Sequence, residues 1–459
     1  MRILPLVYVL ILSISVSHGY GQNRDSVLTV GEFIQWVDQN HPVLKAVGNK
    51  LPIAKAELRK ARGAFDPYLS GSLASKEFNG DLYYRQPEWR LQSATRSPIQ
   101  FQMDWNATSG IYTNPQDKLP EEGLFAVGGM INLGKGLLTD QRRTDLAIAR
   151  TGVELSEAEA ELYRNELLTK AVKDYWKWYE AHSNVLAYES AVKAALEVYS
   201  FTKSAFEAGD ASAMDTLDAR ALVSTWQTDF YNAQSQAILT LFQMSNWLWS
   251  SDEAPVVLEA FVQPSAEIPA LVSNTMLNDE HPLIRYNSQK EEQFRLKRQL
   301  AREYLKPTVA VGGSYLLAGN FQNLPSQDEF DANNRIVKAK LGIPLFLREG
   351  RGYVQSQNLQ LESFQWERAS IENQWRNALN STARQYVQLE SAVQAGRRNQ
   401  ESLEQLLYSE KRKLELGDSE LIKVNLRTSY YAKSMIQRAK LETELGQTWA
   451  YWMQLSAGF

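Results

Sequence analysis

The stretch HPVLKAVGNKLPIAKAELRKARGAFDP at 41–67 has a counterpart of the same type, HPLIRYNSQKEEQFRLKRQLAREYLKP, at 281–307. Each stretch opens with His-Pro and closes with a proline twenty-five residues after the proline of that pair, so both markers share one offset of 240 residues (281 − 41 and 307 − 67). Each also contains a basic run of helical character that its final proline stops. This spacing predicts two copies of one unit of about 200 residues.

Further matched pairs extend the repeat. They are Leu168 with Leu379, Tyr175 with Tyr386, Tyr199-Ser200 with Tyr408-Ser409, and Gly209-Asp210 with Gly417-Asp418. The offset falls to 211 residues (379 − 168), so the first copy holds about 29 residues more (240 − 211) between Pro67 and Leu168. An insertion of that kind is tolerated in a solvent-exposed loop. We predict a first repeat at 22–250, a connection at 251–280 and a second repeat at 281–459.

The N-terminus and the composition narrow the possible environments. Residues 1–21 hold a basic start, an apolar run and small residues before Gln22, which is the pattern of a secretory signal peptide. The chain has no cysteine, which excludes a disulfide frame and a thiolate metal site. A formal charge of −4 gives no basic surface for nucleic acid. Later segments lack the ~20 uninterrupted apolar residues of a membrane-spanning helix.

Each copy predicts the same order of elements. A helix at 43–62 or 283–304 is followed by strands with period-two alternation and then by a long stretch without proline. Predicted strands lie at 68–73, 124–133, 308–317 and 336–347, and the insertion adds an alternating run at 99–106 with a possible partner at 83–91. Whether the insertion at 77–123 adds membrane strands stays open at this level.

The stretches without proline predict unusually long helices. About seventy helical residues in each copy would make a rod of ~105 Å, longer than a globular core can use. Each rod ends at a Gly-Asp, at 209–210 and 417–418, where glycine can take the left-handed conformation that terminates a helix. A second helix is then expected to return at 213–250 and at 419–456.

Strand number decides the assembly. Four strands per chain, or six with the insertion, fall short of the ~8 strands that the smallest membrane barrels need. An open sheet edge is not tolerated in lipid, because each unpaired backbone group costs several kcal/mol. A cyclic oligomer would close the sheet as one shared barrel. The expected fold class is therefore α+β, with mostly long helices and an internally duplicated helix-strand-strand-helix unit.

Four segments carry a resemblance to a known family: the HP…ARGAFDP segment, GGMINLGKGLL at 128–138, LGIPLFLREGRG at 341–352 and AGDASAMDTLDAR at 208–220. In type, order and duplication they resemble the TolC-type outer-membrane efflux proteins over nearly the whole mature chain. The resemblance implies a homotrimer with a shared twelve-stranded barrel in outer-membrane lipid and an α-helical tunnel in the periplasm. It also implies an exit duct that joins a periplasmic adaptor protein and an inner-membrane transporter, in tripartite efflux or type I secretion.

The same resemblance suggests gate residues just past the helical turns. Asp215 and Asp218 match a D-x-L-D pattern in the first copy, where they would form a negative ring in a trimer; the alternative is simple helix capping, since Ser212 and Asp215 fit a capping box. The family's constricting acids lie in the second copy, where this chain has Asn425 beside Lys423 and Ile422. Arg220 and Arg427 are candidates for ion pairs that hold a closed state.

Two further sets of residues are candidates for contacts. Gly209, Asp210, Gly417 and Asp418 are expected to meet the adaptor, because a turn must be present there. Five aromatic residues of the insertion would either form a girdle at the membrane surface or pack a folded extracellular loop. They are Tyr83, Tyr84, Trp89, Trp105 and Tyr112.

Chemical functions have little support in the sequence. The GMINLGK run at 129–135 lacks the Ser or Thr after its lysine that a phosphate-binding loop uses for Mg²⁺. The four histidines show no metal-ligand spacing, and His41 and His281 are expected to start helices. We therefore predict no enzyme activity and no cofactor. The rival hypothesis is a soluble periplasmic coiled-coil scaffold, whose strands would form a small cap.

Overall fold

The structure is a computed structural model of the chain, and it describes residues 27–112, 118–259, 262–269, 279–325 and 331–459. The predicted signal peptide at 1–21 lies outside these ranges. In the first half the elements are β1 (Val27–Leu28), α1 (Val30–Asn40), α2 (Pro42–Gly48), α3 (Lys50–Gly63), β2 (Tyr68–Phe78), β3 (Asp81–Ala94), β4 (Ile99–Asn106), β5 (Leu124–Asn132), α4 (Gln141–Ala208) and α5 (Ala213–Ser245). The second half contains β6 (Gln263–Pro264), α6 (Pro282–Glu303), β7 (Thr308–Ala318), β8 (Arg335–Gly342), α7 (Arg348–Glu415) and α8 (Leu421–Leu455).

The two His-Pro pairs start helices by the same contact. The ring Nδ1 of His41 accepts a hydrogen bond from the Val43 amide at 3.3 Å, and that of His281 accepts one from Leu283 at 3.2 Å. The adjoining proline occupies the first helical position, where its missing N–H costs nothing. Both histidines are therefore N-caps, as the sequence predicts.

The helix expected at 43–62 is two helices, α2 and α3, which divide at Asn49. Pro52 has no N–H to donate to the carbonyl of Gly48, so an unbroken helix through this point would lose a hydrogen bond. Pro52 is accepted in the first turn of a new helix, where no such bond is required. The second copy has no proline at the matching place, and α6 runs unbroken through 22 residues.

Six of the strands form one antiparallel sheet in the order β2-β3-β4-β5-β7-β8. The sequence allows four strands per chain, or six with the insertion, and the structure has six in this sheet. The insertion at 77–123 supplies the two additional strands, β3 and β4. Asn79 and Gly80 join β2 to β3, and both have the positive φ that a two-residue hairpin turn needs.

The two faces of this sheet differ in chemistry. Residues paired across strands share a face, so the register assigns every side chain to one side or the other. The apolar face carries Leu69, Leu73, Trp89, Leu91, Ile99, Phe101, Met103, Trp105, Phe125, Val127, Ile131, Val309, Val311, Tyr315, Leu317, Val337 and Leu341. The polar face carries Ser70, Ser72, Lys76, Glu88, Arg90, Gln92, Gln100, Gln102, Asp104, Asn106, Ser314, Lys338 and Lys340.

Glycines set the seam between β5 and β7, where the first half of the chain pairs with the second. A Cβ on Gly128 would lie 2.0 Å from the carbonyl oxygen of Gly313, and one on Gly312 would lie 2.5 Å from that of Gly129. Only glycine permits so close an approach of two backbones. The GG pairs at 128–129 and 312–313 therefore have a packing role. Gly129 is also the first residue of the GMINLGK run, so that glycine is explained by strand packing and not by phosphate binding.

The chain divides into two compact units. Of the described residues, the tip unit comprises 27–40, 171–259, 262–269 and 389–447, and the sheet unit comprises 41–112, 118–170, 279–325, 331–388 and 448–459. The tip unit is held by a buried aromatic group in which the Tyr175 ring lies 5.5 Å from that of Phe33, centroid to centroid, and 5.5 Å from that of Trp176. The Tyr175 hydroxyl donates to the carbonyl of Leu28 at 2.7 Å, which fastens β1 to α4.

The sheet unit has its own junction between strands and helices. The buried Glu303 carboxylate accepts the Gly136 amide at 3.0 Å and pairs with Lys306 at 2.6 Å. The indole of Trp375 donates to the Leu455 carbonyl at 2.8 Å, and the His281 ring lies 3.0 Å from the same oxygen. Across the described ranges, none of the helices has both the length and the apolar character needed to cross a membrane.

Gly446→Ala is expected to destabilise the tip unit. A Cβ there would lie 2.1 Å from the ring of Trp176, which is fully buried, and overpacking of this kind costs about 1–3 kcal/mol. Thermal denaturation followed by circular dichroism should show a lower midpoint. Gly396→Ala is the matched control, because its Cβ would meet only Leu441 Cδ1 at 3.4 Å and the change favours helix. Equal midpoints for the two variants would contradict a tight Trp176 contact.

Candidate functional site at the paired helical turns

The two helical hairpins end in turns with the same backbone geometry. Gly209 has φ +88° and Gly417 has φ +79°, the left-handed conformation that glycine adopts without a steric cost. The Asp210 amide donates to the Ala205 carbonyl at 2.8 Å, and the Asp418 amide donates to that of Lys413 at 2.9 Å. Each is the six-to-one bond of a Schellman motif. Both glycines and both aspartates are exposed at the turns, where the sequence predicts them.

Asp215 caps the helix that follows the first turn. Its carboxylate accepts the Ser212 amide at 3.0 Å, and its own amide donates to the Ser212 hydroxyl at 3.1 Å, which completes a capping box. The hydrogen bonds from Ser212 lower the pKa of Asp215. A depressed carboxyl pKa makes this cap fully effective at neutral pH, and the contribution is lost as the pH falls through the folded-state value. Asp218 and Arg220 are exposed on the same helix.

The second turn has a charged cluster that sequence reasoning missed. The Glu410 carboxylate accepts the Ser419 hydroxyl at 2.5 Å and lies 3.8 Å from the Arg427 guanidinium. The hydrogen bond from Ser419 lowers the pKa of Glu410, and the nearby cations Lys413, Arg427 and Lys423 lower it further. Arg427 thus pairs inside its own hairpin. The sequence contains one indication of this cluster, which is the number of residues that separates Glu410 and Arg427 from Gly417. Residues at similar separations before and after a helical turn face each other.

Asn425 lies one residue past a buried contact. Val424 is fully buried and packs with Val198 of α4 and Leu407 of α7, while Asn425 beside it is half-buried. The side-chain oxygen of Asn425 is shielded from solvent, and no donor among the described residues reaches it. Lys423 on the same helix lies 3.8 Å from Glu420. The second turn therefore presents a basic group and an amide where the first presents two carboxylates.

The hairpins contact one another within the tip unit. Below the turns, Lys411 pairs with Glu197 at 2.6 Å. Further along, the buried Glu442 carboxylate accepts the Tyr179 hydroxyl and pairs with Arg397 at 2.9 Å. Burial raises the pKa of Tyr179, which keeps its hydroxyl a donor. Near the turns the hairpins are thus joined by an exposed ion pair together with the buried packing of Val198 against Val424 and Leu407.

The five aromatic residues of the insertion have three different environments. Trp89 and Trp105 are a cross-strand pair on the apolar face, and the Trp105 indole also donates to the Gly319 carbonyl at 2.9 Å. Tyr83 of β3 and Tyr112 stack on each other with ring centroids 4.7 Å apart, close to the Asn79-Gly80 turn between β2 and β3. Tyr84 pairs with Lys76 on the polar face. The two tryptophans fit the girdle hypothesis, and the two stacked tyrosines fit the folded-loop hypothesis.

Comparison with known proteins shows a similarity to one family. Residues 94–246 match the family model described as outer membrane efflux protein, which is about a third of the chain. None of the curated protein sequences compared with the chain matches it.

Solved structures share the fold of this chain. The outer membrane channel CmeC of Campylobacter jejuni has 14% sequence identity and a TM-score of 0.65, with 94% of this chain and 86% of that chain covered. The outer membrane protein VceC of Vibrio cholerae has 14% identity and a TM-score of 0.65, with 94% and 96% covered. The MtrE outer membrane channel of Neisseria gonorrhoeae has 13% identity and a TM-score of 0.61, with 94% and 89% covered.

Within the described ranges, no three His, Asp or Glu side chains come together in a way that would hold a metal ion. A cavity of about 890 Å³ in the sheet unit lies between α6 and α7, lined by residues such as Tyr286, Phe294 and Phe364. The candidate site is the pair of turns, on the geometry described above.

Gly417→Ala is expected to loosen the second turn. A left-handed conformation costs a non-glycine residue roughly 1–2 kcal/mol, although the space around Gly417 is open. Hydrogen exchange of the Asp418 amide should become faster. Gly417→Asn is the control, since asparagine tolerates this conformation and should keep slower exchange. Identical exchange in wild type and Gly417→Ala would mean that the turn does not depend on the Schellman bond.

Proposed function

We propose that this protein is the outer-membrane exit duct of a tripartite efflux pump or a type I secretion system. Three copies form one tube, with a shared β-barrel in the outer membrane and the helices extending into the periplasm. The duct is passive: an energised inner-membrane transporter drives the cargo, and this chain supplies the wall and the periplasmic opening. No chemical step and no cofactor are required of it.

The observation that carries this proposal is the sheet with one apolar face and two open edges. Among the described strands, β2 and β8 pair on one side only, so each presents a row of free backbone donors and acceptors. The apolar face is exposed to solvent in the single chain; Val337 is 72% exposed and Leu341 70%. Lipid satisfies such a face, and β-pairing between β8 of one copy and β2 of the next satisfies the edges.

The long helices and their turns supply the periplasmic end. α4 and α7 each run through 68 residues, and each is followed by a returning helix after a glycine turn. Exposed apolar side chains surround the turns, including Met214, Leu217 and Ile422. An adaptor protein that caps the tube would bury these side chains together with Gly209, Asp210, Gly417 and Asp418. Arg220 and Arg427 lie one to two helical turns beyond, where they would stabilise a closed arrangement of the hairpins.

Extraction from membranes distinguishes this function from a soluble periplasmic scaffold. The duct should remain in the outer-membrane fraction through high salt and carbonate and should require detergent for release. After extraction it should run on gels as a trimer that resists heating. Release by carbonate as a monomer would contradict the proposal and favour the scaffold. Deletion of residues 1–21 should keep the protein out of the periplasm and the outer membrane under either hypothesis, which controls for export.

The carboxylates of the first turn separate a pore role from a capping role. Replacing Asp215 and Asp218 together by Asn removes six charges from a trimer (two per chain) while leaving amide oxygens that can accept hydrogen bonds. We expect lower cation selectivity in planar-bilayer conductance, because a negative ring concentrates cations. Asp215→Ala is the comparison, since it also removes the acceptor for the Ser212 amide. Unchanged selectivity in the Asn variant would leave Asp215 with the capping role alone.

A further inference from the structure

We propose that the hairpin of β3 and β4 crosses the outer membrane as two additional staves, with its apolar side in contact with lipid acyl chains. This inference rests on the proposed function, since it takes the trimeric barrel as given. Each subunit then supplies six strands, and three subunits close a barrel of eighteen. The strand number assigned by family resemblance is twelve, so the inserted hairpin changes the architecture of the membrane part.

The first reason is that the hairpin continues the apolar face without interruption. Met103 of β4 pairs with Leu91 of β3 on one side and with Val127 of β5 on the other. The neighbouring row joins Trp89 and Trp105 to Phe125. In the single chain Phe101 is 57% exposed, and Trp89 and Leu91 are also exposed, while Phe125 is buried. An extracellular loop in water has no reason to present an unbroken apolar strip on one side of its strands.

The second reason is that the opposite side of the same two strands is polar throughout their pairing. Glu88, Arg90 and Gln92 of β3 alternate with the apolar residues, and Gln100, Gln102, Asp104 and Asn106 of β4 do the same. Arg90 donates to Asp104 at 2.7 Å and to Glu88 at 2.5 Å, and Gln102 also donates to Asp104. A charged network on the water-filled side and hydrocarbon-like residues on the other is the dyad pattern of a membrane barrel strand.

The charged residues on the apolar face agree with this placement. They are Glu77 on β2, Arg85 on β3 and Arg335 on β8. Glu77 and Arg85 lie toward the Asn79-Gly80 turn, and Arg335 is the first residue of β8, next to the connection from β7. Each therefore lies at the same end of its own strand, where a long side chain reaches the headgroup layer. Because the sheet is staggered, Arg335 shares a cross-strand row with Leu91, Met103 and Val127, and the members of that row on β3, β4 and β5 carry no charge.

The third reason is the position of the hairpin's turns. The β3–β4 turn at 95–98 lies beside the end of β5, where the Asn132 amide donates to the Pro98 carbonyl at 3.2 Å. That end of the sheet is also where β2 begins, just after Pro67, and where β5 leads toward α4. The connections from β2 to β3, from β4 to β5 and from β7 to β8 lie at the other end. Both strands therefore run the full height of the sheet.

Closure is consistent with this number of strands. Six strands per subunit leave β2 and β8 antiparallel to each other, so β8 of one copy pairs with β2 of the next in the same sense as every other pair. The strands are also staggered along the sheet. The cross-strand row that begins at Tyr68, the first residue of β2, reaches β8 at Ile336. Ile336 lies six residues before Gly342, where β8 ends (342 − 336). A stagger between first and last strands is what barrel closure requires.

The absence of cysteine allows a direct test with single-cysteine variants. Met103→Cys and Gln102→Cys are neighbours on opposite sides of β4, and Val337→Cys with Lys338→Cys is the matched pair on β8. Each variant is labelled with a small fluorophore as the intact trimer and placed in liposomes that contain brominated lipid. Labels at 103 and 337 should be quenched several-fold more by the lipid than labels at 102 and 338. Iodide in water should show the reverse order.

The outcomes separate this inference from the proposed function. Lipid quenching at 337 without quenching at 103 would overturn the inserted hairpin while leaving the trimeric duct in place. Absence of lipid quenching at both positions would overturn the duct as well. A count of strands by electron cryomicroscopy of the trimer gives an independent readout. Eighteen strands support the inference, and twelve with the hairpin outside the membrane would refute it.

Discussion

Backbone hydrogen bonding at two strand edges is the constraint on which the rest of this molecule depends. β2 and β8 each pair on one side only within the described sheet, and the face beside them is apolar. In hydrocarbon, each unpaired amide or carbonyl costs several kcal/mol, so such a sheet is incomplete as a single copy. In the proposed trimer, pairing of β8 in one copy with β2 in the next removes the cost of unpaired backbone groups. The same pairing closes the sheet and encloses its polar face. The same step places the helices attached to β2, β5, β7 and β8 side by side around a ring.

The two turns share one backbone motif but carry different side chains, since the first presents two carboxylates and the second a lysine and an amide. Both turns hold their chain reversal with bonds inside one hairpin, so the hairpins can shift relative to each other without breaking them. Between hairpins near the turns, the exposed pair of Lys411 and Glu197 contributes about 0–1 kcal/mol. The buried contact of Glu442 with Tyr179 and Arg397 lies farther away. The buried packing of Val198 against Val424 and Leu407 lies as near to the turns as the exposed pair does, so an apolar contact also joins the hairpins there.

Sequence reasoning succeeded where the cause is local. The His-Pro starts of α2 and α6 and the glycine ends of α4 and α7 each follow from a few adjacent residues, and the structure has them at those positions. It failed at Pro52, which was counted inside one helix although it permits only a first turn. The pairing of Glu410 with Ser419 and Arg427 depends on how two helices face each other, which no local pattern specifies. The Asn79-Gly80 pair is a local sequence pattern that does predict the turn between β2 and β3.

The inserted hairpin also explains how strand number can change while the helices stay the same. Only four of the six strands connect to helices, since β3 and β4 are joined at the helical end by the short turn at 95–98. A hairpin adds one strand in each direction, so β2 and β5 keep the orientations that their helices demand. Barrel diameter grows roughly in proportion to strand number. On the proposed architecture, only twelve of the eighteen strands (four in each of three subunits) connect to helices. The turns at 95–98 join the remaining strands in pairs at the helical end of the barrel.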